Sequence, residues 1–528
     1  MGILLVPIWA MLGAMILRTQ LPRFDKDEQR LLQWGLVLSV VFAFLHVVVL
    51  TNVLGGGDML WYHRAGSELA ELWQSNPSQW TGELLKLAFR QSASFPFWVH
   101  GAGSSTGSMF GLSAWLMLLN GKSIYAACVL LGVFNYFSRF LIYHVVRPLV
   151  VPEHRRYVLM GVMLLPSVIF WTGGLIKESV AMSGVGIAVL GAYYLAERSD
   201  FLRGIVLIAL GGLTAYLVKP YVLFPFFIAA PVWYLAARMR ESGDNLSILL
   251  TPFRMILFAG LVALGLMVLS YLVPSLSVDS LGDELASVQY SGTTVSGNTN
   301  YHLISAESVA TRGRVAQLLA APFAFLFALT RPWFFEARSS QTLVATIETT
   351  ALTLIMIQSV RRMGLMQWIR HILARPWLVF CITYVVIFGT AVGLGSTNVG
   401  SLSRYRIPMM PFYGALVAVS YAWAYRPIAA SDALIDIDAD EGNFDFSRPS
   451  IGRRRPLRIR RASTEVSLNL HQNAPLASHT EHRDLRLTHP WFFAANRVIS
   501  PDDPRSTRRK PLKLRRNNDS ILQEKRTR

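Results

Sequence analysis

The sequence predicts an all-α protein, a polytopic transmembrane helical bundle, and three observations support this prediction. Of the 528 residues, 52% are hydrophobic. Only 16% are charged, whereas soluble proteins of ordinary composition have about 25%. Apolar runs of roughly 17–22 residues recur along the chain, and this is the length of helix that crosses the hydrocarbon core of a bilayer.

About eleven apolar runs are predicted to span the membrane. They cover residues 2–17, 33–54, 123–144, 157–172, 178–195, 204–218, 221–237, 255–273, 341–358, 376–395 and 407–424. The first run is followed by Arg18 and a charged stretch, which favours a retained span over a cleaved signal peptide. Two shorter apolar stretches, 109–119 and 315–330, are predicted to be re-entrant or interfacial.

The predicted spans divide the chain into three parts. Residues 1–32 hold an additional N-terminal span and a basic loop, and residues 33–424 form the multi-span domain. Residues 425–528 form a basic tail with no sustained apolar period, so we expect a largely disordered segment that binds anionic lipid headgroups. The net charge of +18 is explained by the orientation of the protein in the membrane rather than by binding of nucleic acid. No nucleic-acid partner is expected.

The basic residues that flank the spans predict the orientation, because cytoplasmic loops carry an excess of Arg and Lys. All basic loops are cytoplasmic together only if the N-terminus is outside and the two shorter apolar stretches, 109–119 and 315–330, do not cross the membrane. The C-terminus is then cytoplasmic. Ionisable groups at membrane depth are costly and usually functional, so those at the outer ends of the spans are expected to converge on one site. They are Asp58, Lys177, Glu178, Lys219, Arg331, Glu336, Arg404 and Arg406.

Two long outer loops, 55–122 and 274–340, are expected between the spans. In the first loop, segments 59–73 and 79–91 place Leu, Trp and Phe at helical spacing among charged residues. This pattern predicts two amphipathic helices that lie in the membrane interface. The second loop is rich in Ser, Gly, Thr and Asn before its re-entrant segment, and it is predicted to be a mobile loop that closes over a substrate.

The first candidate site residue, Asp58, follows three glycines and precedes two aromatic residues and His63. Glycines permit a sharp turn as the chain leaves a helix. A carboxylate in this place suits proton removal from a sugar hydroxyl or the binding of a divalent cation beside a phosphate. A solvated loop residue is the alternative. The histidines show no spacing typical of a metal site.

A second motif, residues 166–179, breaks the helical pattern near the outer end of a span. Pro166 and a glycine pair precede Lys177 and Glu178, which open the next span. The helix dipole favours an acid at this position. It does not favour Lys177, and a cation beside a broken helix is a natural contact for a phosphate.

Two further motifs contain arginines on the predicted outer side. Arg404 and Arg406 flank Tyr405 at the start of the last span, where the positive-inside rule does not place arginine. Arginine has a planar fork that suits phosphate oxygens. Arg331 and Glu336 enclose an aromatic segment that is also typical of a membrane-interface belt.

At these four places the chain resembles polytopic GT-C-type glycosyltransferases and related bacterial exopolysaccharide or O-antigen polymerases. The motifs are an acid after an early span (Asp58), Pro-Ser-x-x-Phe-Trp-x-x-Gly-x-x-Lys-acid (166–178), Arg-Pro-x-x-x-Glu (331–336) and Arg-Tyr-x-x-Pro-x-x-Pro (404–411). The resemblance covers roughly residues 33–424. It implies a GT-C-like bundle in the bacterial cytoplasmic (inner) membrane.

The resemblance also implies an enzyme, a glycosyltransferase that transfers a sugar from a polyprenyl-phosphate donor to a glycan acceptor at the outer face, in cell-surface polysaccharide assembly. Asp58 would be the catalytic base, while Lys177, Arg404 and Arg406 would neutralise the lipid phosphate. Glu178 would orient Lys177. The other residues implied to bind the substrate are His63, Arg331, Glu336 and Tyr405.

Several alternatives stay open at this point. A repeat-unit polymerase would use the same arginines and would make a ladder of products. A lipid-linked sugar transporter is less favoured, because such folds commonly show internal repeats and midplane charges, which are not seen in the sequence. No cofactor is certain, and a divalent cation (Mg²⁺ or Mn²⁺) is an option. Cys128 and Cys381 lie inside apolar runs and predict neither a disulfide nor a metal site.

Overall fold

The computed structural model describes residues 2–53, 55–241, 319–396 and 398–425. Over these residues the chain is all-helical and has no β-strand, as predicted. The helices are α1 Leu5–Gln20, α2 Lys26–Val48, α3 Asp58–Ser75, α4 Pro77–Ala88, α5 Ser105–Leu119, α6 Ile124–Val146, α7 Pro152–Met163, α8 Pro166–Thr172, α9 Lys177–Ala196, α10 Phe201–Val218, α11 Leu223–Glu241, α12 Leu319–Thr330, α13 Ser340–Met363, α14 Leu365–Leu373, α15 Pro376–Gly395, α16 Val399–Tyr405 and α17 Met410–Tyr425.

Nine helical segments in the described part of the chain are long and apolar enough to cross a membrane. They are Gly2–Arg23, Lys26–Val53, Ile124–Leu149, Lys177–Ala196, Phe201–Val218, Pro220–Arg240, Thr342–Met363, Pro376–Gly395 and Val399–Tyr425. These segments match nine of the predicted spans and indicate a multi-pass membrane protein. The predicted span 255–273, most of the loop 274–340 and the tail beyond residue 425 lie outside the described residues. The predicted orientation stays a prediction.

The structure differs from the sequence prediction at 157–172, where two short helices replace one span. Proline lacks a backbone N–H and disfavours helical conformation in the residue before it, and Leu165, before Pro166, is extended (φ −66°, ψ 118°). Buried Arg139 of α6 donates from Nη1 to the carbonyl of Met163, the last residue of α7, at 2.8 Å. A cation at a helix C-terminus is favourable, so this contact stabilises the break.

The two shorter apolar stretches correspond to α5 and, within the described residues, to α12. Whether they cross the membrane stays a prediction. Helices α3 and α4 correspond to the predicted amphipathic segments 59–73 and 79–91. Both pack against α5, because their apolar residues lie on one side.

Glycines bring α9 and α10 into close contact. A Cβ added at Gly184 would lie 2.4 Å from the carbonyl oxygen of Gly211, and one added at Gly191 would lie 2.7 Å from that of Gly204. Small residues allow membrane helices to approach at backbone distance. The two helices are consecutive and antiparallel, so the start of α9 and the end of α10 lie at the same end of the bundle. This packing positions Lys177, Glu178 and Lys219 for the site.

Candidate functional site

The backbone around Asp58 presents this carboxylate at one end of the bundle. After α2 the chain forms a π-helical turn, Val49–Val53, a feature often found at functional sites. Gly55 (φ +63°) and Gly57 (φ +119°) then adopt conformations that side chains disfavour. Asp58 is the first residue of α3, where the helix dipole favours an acid. Its side chain is 47% exposed.

Arg404, near the end of α16, holds two carboxylates at once. Its Nη1 lies 2.8 Å from Oδ2 of Asp58. Its Nε and Nη2 donate to Oε1 and Oε2 of Glu178 at 2.7 and 2.9 Å. The paired contact to Glu178 is bidentate, which adds both strength and directional specificity. The structure thus joins the first, second and fourth sequence motifs through one guanidinium.

Glu178 is fully buried and has a second cation as a partner. Lys219, which is 4% exposed, places its Nζ 2.6 Å from Oε1 of Glu178. The ammonium of Lys219 also lies over the rings of Tyr405 and Tyr221, at 4.5 and 5.4 Å from their centroids, as in a cation–π contact. We call Asp58, Glu178, Lys219 and Arg404 the Arg404 cluster.

Lys177 contacts a different element from its neighbour in the chain. Its Nζ donates to Oγ of Ser105 at 3.1 Å and to Oγ1 of Thr106 at 2.9 Å, in the first turn of α5. Adjacent residues on a helix do not face each other, so Lys177 points towards α5 while Glu178 points towards Arg404. Glu178 therefore orients Arg404 and Lys219, not Lys177 as the resemblance implied.

The third motif forms its own ion pair. Arg331 donates from Nε to Oε2 of Glu336 at 3.1 Å, and from Nη2 to Oε1 of the same carboxylate. The Arg331 guanidinium lies over Phe327 and Trp333, 4.9 and 5.2 Å from the ring centroids. The pair thus holds the turn between α12 and α13 and its aromatic residues.

Arg406 and His63 have structural partners. Fully buried Arg406 donates from Nη1 to the carbonyl of Arg331 at 2.5 Å and from Nη2 to Oγ1 of Thr349 at 2.6 Å. These bonds join the last span to α13 and to the turn after α12. His63 Nε2 lies 3.1 Å from the carbonyl oxygen of Lys122, so it links α3 to the turn after α5. The substrate-binding roles predicted for these two residues stay predictions.

The sequence placed Lys219 among the charged groups expected to converge on one site but assigned it no role, and it did not indicate Tyr62. Lys219 lies between two apolar runs and before a proline, and this pattern is a sequence signal comparable to that of Lys177. Tyr62 is buried on α3, one turn after Asp58. Burial, and then the Asp58 carboxylate, raise the pKa of Tyr62 well above its ordinary value of 10.0, so its hydroxyl remains protonated.

The donor set of the Arg404 cluster does not fit a divalent cation. The described ranges contain no group of three or more His, Cys, Asp or Glu residues that could hold a metal ion. Asp58 and Glu178 both bond to the guanidinium of Arg404, so a dication between them would meet a positive charge. We derive no step through a metal, and the possible Mg²⁺ or Mn²⁺ stays a sequence-based expectation.

The helices and the site define a class: an all-helical, multi-pass membrane protein with a partly exposed ionised cluster at one end. Comparisons with protein-family models, with curated proteins and with solved structures find no match. The resemblance to GT-C-type glycosyltransferases therefore rests on the four sequence motifs.

Proposed function

We propose that the protein is a membrane glycosyltransferase that uses a polyprenyl-phosphate-linked sugar donor at the outer face of the bacterial cytoplasmic membrane. The strongest supporting observation is that the guanidinium of Arg404 contacts two carboxylates. Buried Glu178 holds Nε and Nη2, while Nη1 reaches the 47% exposed Asp58. A fixed guanidinium beside an accessible carboxylate provides both groups that glycosyl transfer from a phosphate needs.

In the proposed reaction, the acceptor hydroxyl oxygen attacks the anomeric carbon of the donor sugar. A new C–O bond forms, and the bond between that carbon and the phosphate oxygen breaks. The electron pair leaves with the lipid phosphate, and the hydroxyl proton passes to an oxygen of Asp58. Arg404 and Lys177 stabilise the charge that develops on the phosphate. Asp58 must separate from Nη1 of Arg404 as the phosphate takes its place.

The balance of charge also favours an anionic ligand. Two cations, Lys219 and Arg404, pair with the two carboxylates of Asp58 and Glu178. A third cation, Lys177, lies nearby with its hydrogen bonds on Ser105 and Thr106. One positive charge is thus left over at an end of the bundle, where it would attract a phosphate. Lys219 and Glu178 do not contact the reacting atoms in this scheme, and they position Arg404.

The test is glycan profiling of a deletion strain complemented at matched membrane levels. Asp58→Asn preserves the shape of the side chain but removes the base, so we expect transfer to fall by roughly 10²–10⁴-fold. Glu71→Gln is the matched control, because Glu71 is a 64% exposed acid on the same helix that pairs with Lys122. A normal glycan from Asp58→Asn would refute the proposal.

The same profiles distinguish the two reactions that the cluster can support. Loss of a single-sugar transferase would leave every repeat unit of the polymer one sugar short. Loss of a repeat-unit polymerase would leave single repeat units and no ladder of longer products. If the protein were a transporter, Asp58 would not act in the transfer reaction itself. Isolated membranes that contain Asp58→Asn would then transfer sugar at the normal rate when donor and acceptor are supplied together, and this result would favour transport.

A further inference from the structure

Three exposed aromatic side chains contact one another in sequence near the Arg404 cluster, with their rings tilted by 51° and 73° from one to the next. The ring centroids of Trp98 and His100 are 5.1 Å apart, and those of His100 and Trp61 are 5.3 Å apart. Trp98 is 80% exposed and Trp61 is 43% exposed. We call Trp61, Trp98 and His100 the aromatic platform.

One ring of the platform packs against the buried core of the protein. Trp61 packs edge-on against Phe110 of α5, with ring centroids 4.8 Å apart, and Phe110 is buried. The loop after His100 turns at Gly101 (φ +67°), whose carbonyl accepts a hydrogen bond from the N–H of Gly107 at 3.0 Å. The rings are therefore presented on a fixed surface, which reduces the entropy cost of binding a ligand.

The platform is next to the carboxylate that we propose as the base. Trp61 and Asp58 are three residues apart on α3, so their side chains lie on the same side of the helix. Tyr62, whose ring centroid is 6.0 Å from that of Trp61, responds to the charges of Asp58 and Arg404. A ligand on Trp61 would thus reach Asp58 within one helical turn, which is about 5.4 Å.

The loop that carries Trp98 has both polar and apolar exposed residues. Gln91, Ser92 and Ser94 are all exposed, and Phe97, beside Trp98, is 39% exposed. Unpaired polar groups are costly in the hydrocarbon of a membrane, so the polar part of this loop faces water or headgroups. The 80% exposed indole of Trp98 leaves apolar area uncovered, and contiguous exposed apolar surface is typical of ligand, partner and membrane contacts.

We propose that the aromatic platform is a subsite for a pyranose ring of the glycan acceptor. One face of a pyranose carries several C–H groups, which pack on an aromatic ring, while its hydroxyls need polar partners. The indole N–H groups of Trp61 and Trp98 and the imidazole of His100 supply such partners at the ring edges. The identification of this sugar as the acceptor rests on the proposed function, but the binding of a sugar by the platform does not.

Saturation-transfer NMR on the full chain in lipid nanodiscs tests the subsite. The probes are the methyl glycosides of glucose, galactose, N-acetylglucosamine and rhamnose. We expect transfer to the ring C–H protons of at least one probe, and a binding constant weakened by roughly three- to tenfold in Trp98→Ala and in Trp61→Ala. Phe335→Ala is the matched control, because Phe335 is 77% exposed but belongs to another loop.

Two results would overturn the subsite: no transfer to any probe, or equal transfer in wild type and in both tryptophan variants. A lipid contact is the competing explanation, and nanodiscs with brominated acyl chains detect it. Strong quenching of the Trp98 emission by these lipids would overturn a sugar site. Asp58→Asn separates the two proposals, because it should bind the probes normally even though it transfers no sugar.

Discussion

Two buried carboxylates, Glu28 and Glu178, lie at opposite ends of the bundle and are held in different ways. Glu28 is in the first turn of the 23-residue helix α2, about 34 Å in length, and Asp58 follows the other end of that helix. Glu28 accepts hydrogen bonds from the N–H of Asp25 at 3.0 Å, from Nε and Nη2 of Arg147 at 3.0 Å each, and from the hydroxyl of Tyr143.

The partners of Glu28 close the ends of two helices. Asp25 and Glu28 form a capping box at the start of α2, and Arg147 directly follows α6. One acid thus meets one arginine, and the arginine also stacks 4.8 Å above Phe24. Arg155 also lies at this end and donates to the carbonyl oxygens of Arg147 and Val150 at 3.2 and 3.1 Å. Because these contacts join segments of the chain to one another, we regard this end as a structural joint between α2 and α6.

The Arg404 cluster has a path to solvent, and a third cation, Lys177, lies beside it with its hydrogen bonds on Ser105 and Thr106. Glu178 is paired with two cations, Lys219 and Arg404, and Arg404 continues to a half-exposed second acid. Burying several charges is costly in free energy and contributes little stability compared with apolar packing. The comparison teaches that buried ion pairs occur at both ends of the bundle, and that only the arginine of the Arg404 cluster continues to an accessible acid, which is why we propose the site there.

Glu178→Gln should have the largest effect on folding. The substitution preserves the shape of the side chain but leaves Arg404 and Lys219 without their buried counter-charge. Removing one partner of a buried pair costs about 3–5 kcal/mol in the free energy of unfolding. Unfolding of the purified protein by SDS in mixed micelles, followed by circular dichroism, measures this loss.

The double variant Glu178→Gln with Lys219→Met sharpens this prediction. It removes one of the two stranded cations, so we expect it to be more stable than Glu178→Gln alone. If the two changes add without interaction, Lys219 and Glu178 do not stabilise each other, and the cluster is not the coupled unit that the distances indicate.

Glu28→Gln should have a smaller effect, and it should not change the glycan. Arg147 is 20% exposed, so water can partly solvate its charge when the carboxylate is lost. We expect a loss of about 1–3 kcal/mol in the free energy of unfolding. Glycan profiling at matched membrane levels should give wild-type output. A glycan defect as severe as that of Asp58→Asn would contradict the proposal that the Glu28 end of the bundle is structural and the Arg404 end is functional.

The sequence predicts local features of the fold and misses features that depend on distant contacts. The periodicity of 59–73 and 79–91 predicts α3 and α4, because one side of each helix is apolar. Pro166 predicts a break in the helical pattern, but the prediction of one span over 157–172 is wrong, because two short helices form there and Arg139 of another helix caps the carbonyl of Met163. A single proline in an apolar run does not reveal whether a neighbouring helix will satisfy the groups it frees.

The same limit applies to the site. Charged residues at the ends of apolar runs direct attention to Asp58, Glu178 and Arg404. The pairing itself joins residues 226 positions apart, and no local pattern specifies which acid an arginine meets. Arg404 and Arg406 look alike in the sequence, yet one bonds to two carboxylates and the other to two backbone carbonyls and a threonine.

A third acid, Glu336, extends the comparison to a local ion pair within one turn of the chain and should show the smallest effect. Burial alone would raise the pKa of Glu336, but hydrogen bonds from Arg331 and from the N–H of Trp333 hold it below its ordinary value of 4.5. A carboxyl with a lowered pKa contributes stability that is complete above its unfolded value and is lost as the pH falls through the folded value. The loss should be about 1 kcal/mol or less.

Fluorine NMR of the protein labelled with fluorotryptophan would follow this turn, with the Trp333 signal assigned by Trp333→Phe. We expect the signal to stay constant from neutral pH to about pH 5 and to shift only below the ordinary carboxyl pKa of 4.5. In Glu336→Gln the signal should not depend on pH in this range. A shift that persists in Glu336→Gln would mean that another group controls the turn. The pair of Arg331 and Glu336 would then have no influence on the Trp333 side chain, whereas Glu28 and Glu178 are expected to affect the stability of the fold.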